Sequence, residues 1–139
     1  MSRCTFHEGY LDSLPASNTF DAATCIWVSH YITKLEDRRN FFRQIGARLR
    51  PHGYLVSSDA AADRFTPAYK SLLEVSRWMF QYAEMPAEEI EKIINAYGQQ
   101  IAILPPQEVE AMIASSGFDT PVLFFQTFLI HAWYAKRTQ

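Results

Sequence analysis

The chain has 139 residues, 48% of them apolar and 14% aromatic, with a formal charge of -2. That length is one domain, able to bury roughly 68–70% of the surface its unfolded form exposes. The composition excludes a disordered chain and a strongly basic one built to hold nucleic acid. No apolar run reaches the length of a membrane span, and MSRCTFHEGY lacks the apolar core of a signal peptide, so a cytoplasmic chain is expected. Cys4 and Cys25 sit in strand-like segments without CxxC or Cys/His spacing, which predicts two reduced core thiols. His7, His52 and His131 share no metal-ligand spacing, so no metal is expected.

In chain order, Cys4 to His7 is a short strand candidate, followed by the loop residues of EGYLDSLPASNT. DAATCIWV is a near-continuous apolar run of strand length, as expected for a central parallel strand covered on both faces. Thr33 and Glu36 have the spacing of a capping box, and Phe41, Phe42, Ile45 and Leu49 then mark one helical face up to a stop at Pro51 and Gly53. YLVSSD is the next strand, so strand, helix and strand predict a right-handed parallel crossover and an α/β fold. Two helices opened by Pro67 and Pro86, the second ended by Gly98, form a helical insertion over residues 64–98. A further helix runs from Pro106 to Gly117, and Thr120 to Lys136 alternates as two strands around a turn near Gln126 and Thr127.

This order of elements resembles the C-terminal part of a class I S-adenosylmethionine (SAM) methyltransferase. HEGYLDSLP resembles the loop after that family's third strand, and FDAATCIWVSHYI its fourth strand and following loop. RLRPHGYLVSSD resembles the helix end and fifth strand, and SGFDTPVLFFQTFLIHAWYAKR the closing antiparallel pair. The resemblance implies a truncated Rossmann-like fold with a mostly parallel sheet and a C-terminal antiparallel pair, in a single methyltransferase-like domain over residues 1–139, with the insertion as a lid over the substrate. It also implies SAM as cofactor, yet the five glycines nowhere form the GxGxG spacing of the family's cofactor loop. The insertion and the C-terminal segment further resemble the branch that includes the carboxy-SAM synthases. Those enzymes bind their extra carboxylate with a lid arginine, and residues 85–98 contain Lys92 and no arginine, which speaks against that activity.

Site expectations follow from the resemblance. Tyr10 stands where the family's adenine-binding aspartate is usual, Leu11 offers its backbone N–H, and Ile26 and Trp27 face the cofactor; the alternative is that these side chains simply pack. The loop after a parallel strand opens onto the crevice, which exposes Ser29, His30 and Tyr31 to a substrate. His30 is then the candidate general base, because imidazole titrates near neutrality, or else a polar residue at a loop-to-helix junction. Asp59 is a candidate substrate contact or a helix cap. Trp78 and Tyr82 are candidate substrate contacts from the lid, or core or dimer contacts.

In the family's strand order, strands 1 and 2 lie between the third and fourth. Neither has a counterpart in this sequence, so the fourth strand has a bare edge that Cys4–His7 or a second copy of the chain must cover. Three functions fit: the C-terminal part of a SAM-dependent methyltransferase acting on a small molecule or modified nucleoside and incompetent alone; a non-catalytic binding or dimerisation module; or one half of a split enzyme. The expected partners are a small-molecule substrate and either a homodimer mate or a missing N-terminal half. Neither a membrane nor nucleic acid is indicated.

Overall fold

The computed structural model describes residues 3–16 and 20–139, and within them one four-stranded sheet organises the chain. Strand β1 (Phe20–Ile26) is followed by helix α1 (Leu35–Arg48) and strand β2 (Leu49–Ala60). Helices α2 (Pro67–Tyr82), α3 (Ala87–Ala96) and α4 (Pro106–Ala114) come next, and strands β3 (Val122–Thr127) and β4 (Ile130–Lys136) close the order. The sheet runs β1-β2-β4-β3, with β1 parallel to β2 and the other pairs antiparallel. The expected α/β class and closing antiparallel pair are therefore present, whereas the sheet is not mostly parallel: of its three described strand pairs only β1–β2 is parallel.

One face of the sheet is covered. Phe42 and Ile45 of α1 pack with Val109, Met112 and Ile113 of α4 against Leu55 and Trp133, and Cys25 joins them from β1. The opposite face is open, with Tyr54 and Tyr134 each at least 40% exposed. A second cluster of Ala60, Ala62, Ile103 and Leu129 gathers Tyr69, Leu72 and Leu73 of α2 and Tyr97 at the carboxyl end of β2. The helical insertion thus packs at the edge where a parallel strand delivers its loop.

Several local expectations give way to tertiary structure. Residues 4–7 form no strand and Cys4 is exposed, so of the two thiols only Cys25 is in the core. Among the described residues β1 pairs with β2 alone, at the edge of the sheet and mostly exposed, instead of centrally with both faces covered. Cys4–His7 therefore does not cover its edge. Lys34, not Thr33, precedes the first turn of α1 and provides no side-chain cap. Glu36 turns outward to Arg39 at 2.6 Å and Arg43 at 3.1 Å instead of capping backwards.

Pro51 and Gly53 do not end the helix; they lie inside β2, where pairing shifts register between Phe20 and Ala22. Proline suits this position because the irregularity there removes the demand for a ladder N–H. A Cβ at Gly53 would sit 2.9 Å from the Asp21 carbonyl oxygen, so only glycine permits this close approach. The hairpin turn falls at Phe128 and Leu129, two residues later than the sequence suggests, with Phe128 at φ 49°. Among the described residues no helix is long and apolar enough to cross a membrane.

Candidate functional site

Directly after β1 the chain enters a strained turn. Trp27 has φ 58°, a left-handed conformation that bulky side chains rarely adopt, and its N–H donates to the Ser58 carbonyl at 2.8 Å. Such strain costs of order 1–3 kcal/mol and persists where the surroundings over-determine it. Here it directs a single 3₁₀ turn, Ser29–Tyr31, into the carboxyl edge of the sheet.

That turn is tied down by a buried polar network centred on Asp59. Its carboxylate accepts from the Ser29 hydroxyl at 2.5 Å and the His30 backbone N–H at 3.0 Å, and Arg38 Nη2 lies 3.2 Å away. Arg38 Nε also donates to the Ser29 hydroxyl oxygen at 3.0 Å. Asp59, Arg38 and Ser29 are all fully buried. Burial pushes the Arg38 guanidinium down from its ordinary range, and the nearby Asp59 opposes the shift. Burial, with Asp59 adding to it, pushes the Cys25 thiol up to about 11, which leaves it a protonated core group.

His30 sits on this network with 2% exposure. Its carbonyl accepts from the Ala102 N–H at 2.7 Å, so both backbone groups are fixed. Its Nδ1 lies 3.2 Å from Asp59 Oδ1 and 3.3 Å from the Ala60 N–H, while Nε2 is buried without a partner. Carboxylate and amide make opposite demands on Nδ1. A proton there serves Asp59 and leaves a lone pair on Nε2; a lone pair there serves Ala60 and puts the proton on Nε2.

The imidazole forms part of the wall of a cavity of about 350 Å³ lined also by Trp27, Tyr31, Phe80, Tyr97 and Ile130. The rings of Tyr31 and Trp27 meet His30 edge-on at centroid distances of 4.6 and 6.3 Å. Burial pushes the Tyr97 hydroxyl up from its ordinary value, so it stays neutral.

The residues singled out from sequence do not all meet in one place. His30, Tyr31 and Trp27 meet in this cavity. Asp59 lies behind His30 with its oxygens engaged, so it is placed to hold the ring and not to meet a substrate. Tyr10 and Leu11 line a separate depression of about 320 Å³ with Asp12, Val28 and Phe41. Ile26 is half exposed at the end of β1. Trp78 and Tyr82 stack on each other at 6.1 Å, both exposed, while Phe80 and Tyr97 supply the aromatic wall. Ser29, expected to face a substrate, is instead fully buried with its hydroxyl donated to Asp59. Arg38 reads in the sequence as an ordinary helix residue, and only the buried carboxylate selects it. Asp12, which the sequence reading did not single out, puts a carboxylate into the same depression as Tyr10, two residues beyond it. Among the described residues no group of three or more His, Cys, Asp or Glu side chains is placed to hold a metal.

Comparison with known proteins bears on this arrangement. Residues 2–57 match the family model described as a methyltransferase domain. No curated protein matches the chain. Among solved structures, a possible exported protein from Bordetella parapertussis is similar at 14% identity and a TM-score of 0.69, over 97% of this chain and 44% of that one. Human N-acetylserotonin methyltransferase in complex with SAM is similar at 16% identity and a TM-score of 0.61, over 96% and 34%. A Burkholderia thailandensis 1,6-didemethyltoxoflavin-N1-methyltransferase, with bound 1,6-didemethyltoxoflavin and S-adenosylhomocysteine, is similar at 16% identity and a TM-score of 0.57, over 93% and 48%. The chain therefore spans between about a third and a half of the length of these structures.

Proposed function

We propose that this chain, whose residues 2–57 match a methyltransferase domain and whose fold is similar to that of solved methyltransferases, provides the acceptor side of SAM-dependent methyl transfer to a small molecule or modified nucleoside. One observation carries this reading. His30 has its backbone and Nδ1 held by buried partners and its Nε2 without a partner, and the residue lines an aromatic cavity. In its base-competent form the ring keeps a proton on Nδ1 against Asp59, and Nε2 takes the proton of the acceptor hydroxyl or amine as that atom is methylated. Asp59 then faces an imidazolium, and Arg38, 3.2 Å from its carboxylate, holds that carboxylate in place. Asp59 and Arg38 act as positioning residues in this scheme; His30 meets the acceptor.

SAM supplies the electrophilic methyl group when bound. The depression lined by Tyr10, Leu11 and Asp12 fits its adenine end, with a ring to stack on, an apolar wall and a carboxylate to accept from the amino group. The glycine-rich approach to the methionine portion has no counterpart among the described residues; in this reading a methyltransferase N-terminal half, in the same or another polypeptide, provides it. The small molecules named for two of the similar structures support the substrate class. The test is SAM-dependent methyl transfer by the chain, alone and with such a half added. Replacing His30 by Ala should lower the rate roughly 10²–10⁴-fold while leaving SAM affinity unchanged; an unchanged rate sinks the role of His30.

The exposed edge of β1 favours a second reading, a non-catalytic module that pairs there with another copy of the chain. Calorimetric titration separates the two. SAM binding by the chain, or binding restored by an added half, supports the enzyme; a stable dimer that binds no SAM under either condition supports the module.

A further inference from the structure

The cavity beside His30 is uniform in its chemistry. Rings of Trp27, Tyr31, Phe80 and Tyr97 meet Met85 and Ile130 around it, and among the described residues no charged side chain lines it. Asp59, the nearest formal charge behind the imidazole, already accepts from Ser29 and from the His30 backbone and faces Arg38. An ionised ligand would therefore lose its hydration without gaining a counter-charge. A flat ring gains edge and face contacts with the surrounding aromatics. The volume, about 350 Å³, lies near the lower end of small-molecule sites, roughly 300–1,000 Å³, and limits the occupant to a few rings.

The unpartnered His30 Nε2 sets what else the occupant must carry. A hydroxyl can donate or accept, so it satisfies Nε2 in either tautomer; a carboxylate only accepts and an ammonium only donates. We propose that this cavity selects an uncharged, flat aromatic compound of one or two rings bearing a hydroxyl, with the hydroxyl on His30 Nε2 and the ring among Trp27, Phe80 and Tyr97. This deepens the proposed function by naming the acceptor class, and it rests on the acceptor occupying this cavity.

Binding to the full chain without SAM tests it apart from catalysis. Calorimetry with 2-naphthol, naphthalene, 2-naphthoate and 2-naphthylmethylammonium as probes should show 2-naphthol bound at least about tenfold tighter than either charged probe near neutral pH. His30→Ala should weaken 2-naphthol roughly tenfold and bring it close to naphthalene. Because that variant removes a buried group and can unfold the chain, Ile93→Lys provides an independent check: Ile93 lines the cavity and is only partly buried, and a cation there should raise affinity for 2-naphthoate above that for 2-naphthol. Equal or tighter binding of 2-naphthoate by the unmodified chain overturns the proposal, as does unchanged probe preference in a folded Ile93→Lys variant. If 2-naphthol is preferred but no methyl transfer occurs under any condition, the acceptor class stands and the methyltransferase reading fails.

Discussion

The inner strands β2 and β4 and the outer strands β1 and β3 are written in the same apolar alphabet and meet different fates. In β4, His131, Ala132, Trp133 and Ala135 are buried, whereas every residue of β3 is exposed and β1 buries only Cys25. Strand formation follows from residue type, but burial follows from neighbours: β2 and β4 each have a partner on both sides and helices α1 and α4 against one face. The outer strands have one partner each among the described residues. The polar groups divide the same way. Asp59 at the end of β2 is enclosed and paired, while Asp21 of β1 meets Arg50 at 2.6 Å in solvent, where ion pairs contribute little.

The sharpest way to break this comparison is to truncate one aromatic on each kind of strand. Trp133→Ala should destabilise the fold by about 3–5 kcal/mol, since a 1%-exposed indole is lost and Glu110 loses the indole N–H bond at 2.9 Å. Phe124→Ala on β3, where the ring is half exposed, should cost less than about 1 kcal/mol. Urea unfolding of the two variants measures both, and similar losses would mean that the outer face of the sheet is covered in solution.

Removing the charge partner at the end of β2 should come close behind. Arg38→Met leaves Asp59 buried with its charge unopposed and should destabilise by about 3–5 kcal/mol, with Asp59→Asn in the same chain recovering much of the loss. If the double variant is no more stable than Arg38→Met, the two side chains do not act as a pair.

A smaller effect is expected from His131 on β4. Burial, the main cause, holds its pKa below the ordinary value near 6.5, partly offset by the Leu129 carbonyl and Glu110. The unfolded chain therefore binds the proton first. The contribution of the neutral buried ring is fully present above about pH 6.5 and is lost as pH falls below that value toward the lower folded one. Stability measured from about pH 8 to about pH 5 should decline over that window, and His131→Gln should flatten the decline; an unchanged slope would assign it to other groups.

The smallest change in stability, with the largest change in association, is expected at β1. Thr24 is exposed on that strand, so Thr24→Lys should leave the unfolding midpoint nearly unchanged while abolishing any pairing of copies through the edge. Sedimentation velocity on both chains checks this. Association that survives the lysine places the contact elsewhere.

Local pattern carried much of the fold. The period of Phe42 and Ile45 on α1 and the prolines opening α2 and α4 were legible, because the first reports a face that must meet the core and the second a helix start. What pattern concealed were choices between competing partners. Thr33 and Glu36 have capping spacing, yet Arg39 and Arg43 offer Glu36 a charge. Pro51 and Gly53 look like a helix stop, yet the register shift opposite Phe20 and Ala22 needs them inside a strand. In the candidate site, His30 was legible from its place after a parallel strand. Arg38 and the choice of Phe80 over Trp78 were not, because nothing local distinguishes a buried arginine from a solvated one, or Phe80 from Trp78 two residues before it.

The amino-acid sequence by itself determined the elements, their order and the loop that carries His30, since propensity, periodicity and turn chemistry act over a few residues. Only the tertiary structure decided that β1 stands at the edge, that Asp59 is enclosed by Ser29 and Arg38, and that His30 lines an aromatic cavity. The reason is physical: burial, desolvation and ion pairing depend on residues far apart in the chain, as Asp59 and His30 are, and these meet only when the sheet brings the end of β2 beside the loop after β1.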